Sequence, residues 1–220
     1  LRGLQTLNFT YDIKDLQNSS LDELLQYKQL WVTATEFMDS DTQKLLSDYV
    51  KAGGHLIMYP VIPTLDLYLN PCTKLRDELK IEYSKSASPN KVNAFGIEDL
   101  FTIFKDKQIF ADNNSDVVAI TEFDEVCGIR KNAGEGNITA LGFAFGYTSD
   151  EHLHLLEKIV SLDKIKRQAK VSDPDIQFVL RKGKKGSYLF LLNYHNQTKT
   201  FTANSKKVTL KPFSCKIIKN

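Results

Sequence analysis

The chain has 220 residues, 42% hydrophobic and 25% charged, the balance of an ordinary folded protein and not of a disordered tail or a coiled coil. That length suffices for one large or two small domains. Its 29 basic residues against 27 acidic ones leave almost no net charge, which predicts no long basic surface and no nucleic-acid partner. No apolar run approaches the roughly 20 residues of a membrane span, so no membrane partner is expected. The start, Leu1-Arg2-Gly3-Leu4, is neither an initiator methionine nor a signal peptide and reads as the interior of something longer, with a cytoplasmic location as the working expectation.

Taken in order, Leu7 to Ile13 is a short β-like stretch. Ser20-Leu21-Asp22-Glu23 has the spacing of a capping box and opens a helix to about Tyr27. Gln29 to Thr35 is apolar and β-branched, as a strand covered on both faces should be. Ser40-Asp41-Thr42-Gln43 is a second capping box, and the helix it opens puts Leu45, Leu46, Tyr49 and Val50 on one face before stopping at Gly53-Gly54. His55 to Tyr59 is the next buried strand. Strand, helix and strand with such short connections form a βαβ unit, hence a parallel sheet.

Thr73 to Leu79 has helical spacing, and Ile97 to Phe104 reads as a helix or an irregular insertion. Val117 to Phe123, Glu125 to Arg130 and Asn137 to Gly142 are strands. Thr148-Ser149-Asp150-Glu151 caps a closing helix with Leu153, Leu156, Ile159 and Val160 inward. Lys164 to Asp175 is charged and ends in Asp173-Pro174-Asp175, the composition of a domain boundary and a solvated linker. Beyond it the period becomes two. Ile176–Leu180 and Ser187–Asn193 are joined by the hairpin Lys182-Gly183-Lys184-Lys185-Gly186, and Thr198–Ala203, Lys207–Leu210 and Ser214–Ile218 complete a small antiparallel sheet or sandwich. The organisation expected is an α/β domain over 1–168 and a β domain over 169–220.

The chemistry-bearing residues form no recognisable constellation. Cys72, Cys127 and Cys215 are too few and scattered for a disulfide framework or a zinc site, and buried free thiols are expected. No serine stands in a Gly-x-Ser-x-Gly setting, and neither Cys72 nor Cys127 stands in the equivalent cysteine setting. His152 and His154, at i and i+2 on one helix, face different ways; His55 begins a strand and His195 lies near a hairpin end. Asp39/Asp41 and Glu122/Asp124/Glu125 read as helix caps and strand-edge charges, whereas glycosidic cleavage needs two carboxyl groups facing across a cleft. The turn Gly142-Phe143-Ala144-Phe145-Gly146 is the nearest thing to a phosphate loop, but it lacks a third glycine, a lysine and an acidic partner, and close strand–helix packing explains it equally well. No catalytic, cofactor-binding or metal-ligating residue and no cofactor is therefore assigned. The Asn-x-Ser/Thr triplets at Asn8, Asn18, Asn113, Asn137 and Asn196 are accounted for by composition.

The order of three segments, Leu4–Asp12, Tyr27–Thr33 and Leu45–Leu56 with its Asp48-Tyr49-Val50-Lys51-Ala52-Gly53-Gly54, resembles the second domain of β-galactosidases in glycoside hydrolase families 35 and 42. Asp116–Ile120, Gly134–Gly142 and the helix after Tyr147 are similar to that domain's closing half. Tyr188–Asn193 and Leu210–Ser214 look like the small β domain that ends these enzymes. The resemblance implies a flavodoxin-like, glutamine-amidotransferase-like three-layer domain without the amidotransferase nucleophile, whose first strand is not represented before Leu1. It also implies a catalytic barrel outside this sequence, so that the chain is a non-catalytic accessory and assembly region. Its expected partners are the barrel domain and sister subunits in a homo-oligomer, with Phe95, Phe101, Phe104 and Phe110 as candidates for a contact face. The competing readings are a cysteine-dependent amidotransferase-like hydrolase using Cys72 or Cys127, and a free-standing sugar-binding or interaction module.

Overall fold

The computed structural model describes residues 2–85, 90–103, 108–111, 114–146, 149–184 and 186–219. The chain divides into two compact units, one spanning Lys14–Asp163 and the other combining Leu1–Ile13 with Lys164–Asn220. The division falls a few residues before the boundary read at 168, and the first 13 residues group with the β-rich unit. Among the described residues no helix is long and apolar enough to cross a membrane.

Along the chain, α1 (Arg2–Thr6) precedes a 3-10 turn at Leu16–Asn18 and α2 (Leu21–Leu24). The capping box of α2 is real. Ser20 Oγ accepts from Glu23 N, and the Glu23 carboxylate accepts from Ser20 N at 2.9 Å. Strand β1 (Gln29–Thr33) leads into α3 (Ser40–Lys51) and β2 (His55–Tyr59). The second capping box is displaced by one residue. Asp39, not Ser40, caps α3 by accepting from Thr42 N at 2.8 Å, because a carboxylate satisfies the first-turn donors more strongly than a hydroxyl.

Helix α4 (Lys74–Leu79) is followed by β3 (Tyr83–Lys85), β4 (Lys91–Ala94), β5 (Ile97–Phe101), β6 (Gln108–Phe110), β7 (Asp116–Thr121), β8 (Val126–Ala133), β9 (Gly136–Leu141) and α5 (Asp150–Ser161). Seven of these strands form one sheet in the order β1-β2-β9-β8-β7-β4-β5. β1 pairs parallel with β2 from Gln29↔His55 to Thr33↔Tyr59, and β2 pairs parallel with β9. The remaining pairs are antiparallel, so the sheet is mixed and not wholly parallel. The reason lies in the connections. Only residues 134–135 join β8 to β9 and 122–125 join β7 to β8, whereas a parallel crossover takes a dozen residues or more. β5 replaces the helix or insertion expected from Ile97. Phe95 and Gly96 both have positive φ, 52° and 72°, and close a two-residue hairpin between Ala94 and Ile97.

Alternation along the strands divides the core into two faces. Leu56, Met58, Ile129, Ile138 and Ala140 pack with Leu46, Tyr49 and Val50 of α3 and with Leu75 and Leu79 of α4. Ile57, Cys127, Leu141 and Ala119 pack on the other side with Leu155 and Ile159 of α5. Of the residues expected to point inward from α5, Leu156, Ile159 and Val160 are buried and Leu153 is only partly so. Its N-cap is Ser149, which accepts from His152 N; Thr148 lies outside the described residues.

In the second unit, β10 (Ile176–Gly183), β11 (Gly186–Asn193) and β14 (Ser214–Lys219) form an antiparallel sheet, and β12 (Lys199–Ala203) pairs with β13 (Lys206–Leu210). Their core contains Val171, Ile176, Leu189, Leu191, Phe201, Val208 and Leu210. Leu7 to Ile13 is not a strand: Leu7 N and Phe9 N donate back to Gly3 O and Leu4 O, continuing the turn after α1. Asn8 provides the docking instead, its side chain donating to Val171 O at 3.1 Å and accepting from Val171 N at 3.2 Å.

Candidate functional site

Ligands of parallel α/β sheets bind at the carboxyl ends of the strands. Here the loops leaving β1, β2 and β9 are tied together by two buried glutamine amides. Gln43 donates to Met38 O and Cys72 O, both at 2.9 Å, and accepts from Leu75 N at 3.2 Å. Gln108 accepts from Ile62 N at 2.7 Å and donates to Ile62 O at 3.0 Å, while its backbone N donates to Gly142 O. A Cβ at Gly142 would stand 1.9 Å from Gln108 O. The Gly142–Gly146 turn is thus occupied by protein backbone, with Phe143 fully buried beneath it.

Cys127 is buried within β8, Cys72 is half-buried with its backbone N donating to Thr64 O, and Cys215 is exposed on β14. His152 and His154 do face apart: His152 is buried and donates from Nε2 to Phe101 O at 2.8 Å, leaving a buried Nδ1 without a partner among the described residues, while His154 is exposed. Among the described residues no group of three or more His, Cys, Asp or Glu could hold a metal.

A polar cluster lies at the opposite edge of the sheet, around the amino ends of β1 and β2. His55, at the start of β2, places Nδ1 2.5 Å from Asp163 Oδ2 and Nε2 2.8 Å from Thr139 Oγ1. Gln29, at the start of β1, donates to the same Asp163 oxygen and to Ile159 O at the end of α5, and its own oxygen accepts from Trp31 Nε1. Burial alone would raise the Asp163 carboxyl, yet the hydrogen bonds and charge of His55, with Gln29 and Arg130, hold it below the ordinary carboxylate range. Carboxylate, imidazole and hydroxyl in this order have the connectivity of a nucleophile triad. Thr139, however, is 0% exposed and His55 2%, so the hydroxyl meets no substrate. What the cluster does is join the starts of β1 and β2 and the middle of β9 to the end of α5. Sequence reasoning placed His55 on its strand but missed Asp163 and Thr139, because 108 and 84 residues respectively separate them from it and no local pattern marks them.

The near-zero net charge conceals a segregation. The unit of residues 1–13 and 164–220 carries 15 Lys and Arg against three Asp, and residues 14–163 carry 14 against 24 Asp and Glu. The chain total of +2 is therefore the difference between a basic unit of +12 and an acidic unit of −10. The expectation of no extended basic surface rests on the average, which hides this segregation.

Residues 1–117 match the family described as GLMA-like, second domain, and residues 175–220 match the β-galactosidase C-terminal domain. The chain is thus a portion of a glycoside hydrolase-like protein. More particularly, it belongs to the GLMA-like second-domain family. It is 55% identical to a β-1,2-glucosyltransferase of Ignavibacterium album, over 100% of this chain and 32% of that protein. It is 34% identical to an exo-β-D-glucosaminidase of Pyrococcus horikoshii, over 87% of this chain and 26% of that protein. The chain therefore spans a third or less of these relatives. In fold it is similar to Gan42B, a GH42 β-galactosidase from G. stearothermophilus, with a TM-score of 0.81 at 13% identity over 100% of this chain and 35% of that one. It is likewise similar to the β-galactosidase of Rahnella sp. R3, with a TM-score of 0.75 at 15% identity over 98% of this chain and 35% of that one.

Proposed function

We propose that this chain is the non-catalytic accessory region of an enzyme acting on β-linked carbohydrate, and that it positions the remainder of that protein without breaking or forming glycosidic bonds. The observation that carries the reading is the filled carboxyl edge, where Gln43 and Gln108 bind neighbouring backbone in the place a ligand would take. The 55% identity to a glucosyltransferase favours glucosyl chemistry over galactoside hydrolysis for the whole protein. We take the α/β unit to be a flavodoxin-like, amidotransferase-like domain, a reading supported by its parallel β1-β2-β9 portion with helices on both faces.

The partner in this reading is the rest of the parent protein. Asp66 accepts from Tyr68 N and from both nitrogens of Asn70, which sets a rigid loop on which Leu67, Tyr68 and Leu69 are 58%, 86% and 67% exposed. Consecutive apolar side chains held out in this way fit a protein contact. The test is turnover of chromogenic β-glucoside, β-galactoside and β-glucosaminide, and glucosyl transfer to β-1,2-linked glucan, by the chain alone. No turnover is expected. Turnover that is abolished by Cys72→Ser or by replacement of one of its own carboxylates would overturn the reading.

A further inference from the structure

Part of the basic charge of the β-rich unit lies at one end of its three-stranded sheet. On one face of its three-stranded sheet, Val179, Phe190 and Ile217 stand side by side across β10, β11 and β14, and the next row is Arg181, Tyr188 and Lys219. At that end the β10–β11 hairpin adds Lys182 and Lys184. Arg181, Lys182, Lys184 and Tyr188, with Gly183 and Gly186, line a cleft of about 320 Å³. Its floor is bare at Gly183, where a Cβ would meet nothing within 4 Å. Among the described residues no carboxylate pairs with Arg181, Lys182, Lys184 or Lys219, whereas Lys199 of the same unit holds Asp173 and Asp175.

We propose that this end of the β-rich unit binds an anionic polysaccharide, with Tyr188 as the platform for one sugar ring and Arg181, Lys182, Lys184 and Lys219 as the cations that hold its carboxylates. The inference rests on the carbohydrate reading above and adds a ligand class to it. Cations without a carboxylate partner among the described residues, on a unit of net charge +12, attract a polyanion at long range. The half-exposed Tyr188 ring supplies a flat apolar surface between two of them, and an arginine can grip a carboxylate with two parallel hydrogen bonds.

Two other polyanions fit less well. Single-stranded nucleic acid is held by successive aromatic faces along a groove, and Tyr188 is the one aromatic lining this cleft among the described residues. An anionic bilayer takes up apolar side chains together with cations, and the described tip of this hairpin presents glycine and lysine.

The experiment measures binding of the full chain to polygalacturonate by calorimetry, beside a neutral β-glucan, single-stranded DNA and vesicles containing phosphatidylserine. The expected result is binding to polygalacturonate that weakens about ten-fold or more between low and physiological salt, with none to the neutral glucan. Triple replacement by Arg181→Glu, Lys182→Glu and Lys184→Glu should weaken it at least about ten-fold, and Tyr188→Ala should weaken it by several-fold, in line with a stacking contribution of one ring. Lys28→Glu with Lys80→Glu, in the acidic unit, should change it less than about two-fold, with unchanged circular dichroism in every variant. Failure to bind polygalacturonate, or equal loss with the Lys28/Lys80 pair, overturns the inference. So does tighter binding to DNA or vesicles, or salt-dependent self-association in place of polymer binding. None of these results bears on the accessory reading, which is judged by turnover.

Discussion

His55 and Asp163, 108 residues apart in the chain, share a 2.5 Å hydrogen bond that ties the first residue of β2 to the last residue of the α/β unit. An ionised carboxylate only accepts, so Nδ1 is the donor to Asp163, while Nε2 shares a hydrogen bond with the Thr139 hydroxyl. Asp163→Asn removes the charge while keeping the shape, and should cost about 2–4 kcal/mol in urea unfolding near neutral pH. The folded carboxyl titrates below its unfolded value. Its contribution is therefore fully present above the unfolded pKa of about 3.9 and is lost as pH falls through the lower folded value. The gap between wild type and Asp163→Asn should hold from neutral pH down to about 5 and narrow toward about pH 3. A gap that stays constant through that range would show that the charge is not what matters.

Asp39→Ala should destabilise the α/β unit by about 1 kcal/mol through loss of the α3 cap. Ser40→Ala should cost a few tenths at most, since among the described residues its hydroxyl meets only Lys74 Nζ, at 3.1 Å. Chemical denaturation of the two variants side by side distinguishes the cap observed from the cap expected one residue later.

Gly142→Ala would force a methyl against the backbone carbonyl of Gln108, and the two segments cannot both stay in place. A loss of about 3 kcal/mol or more is expected, or failure to fold. Gly183→Ala, with open space around it, should change stability by less than about 0.5 kcal/mol. Thermal melts of both variants provide the comparison.

Gln108→Leu keeps the volume but strands Ile62 N and Ile62 O, both buried. The expected cost is about 2–4 kcal/mol, read from the urea midpoint at unchanged slope.

Leu67→Ser together with Tyr68→Ser should leave stability within about 0.5 kcal/mol, because both side chains are exposed. If the loop is a contact surface, the pair should reduce association with the remainder of the parent protein when the two parts are mixed and sedimented. Association equal to wild type would remove this loop from the interface.

Much of the local structure was legible in the residues. The Ser20/Glu23 capping box, the β1 strand, the buried β2 run and the period-two alternation after Asp173 each depend on neighbours within a few positions, although β1, at the sheet edge, is only partly buried and not covered on both faces as expected. The parallel pairing of β1 with β2 followed from the short helical crossover between them. Tertiary structure decided the rest. It turned Leu7–Ile13 from a β-like run into a segment held by the Asn8 amide on Val171, buried Phe110 while leaving Phe101 64% exposed, and left Phe95 half-buried; Phe104 lies outside the described residues. It also brought Gln29, His55, Thr139 and Asp163 to one point. Pattern and propensity act over a turn of helix or a strand. Which distant polar groups share a buried hydrogen bond, and which charges share a surface, depends on how the strands are ordered in the sheet, and that order is a property of the whole chain packed together.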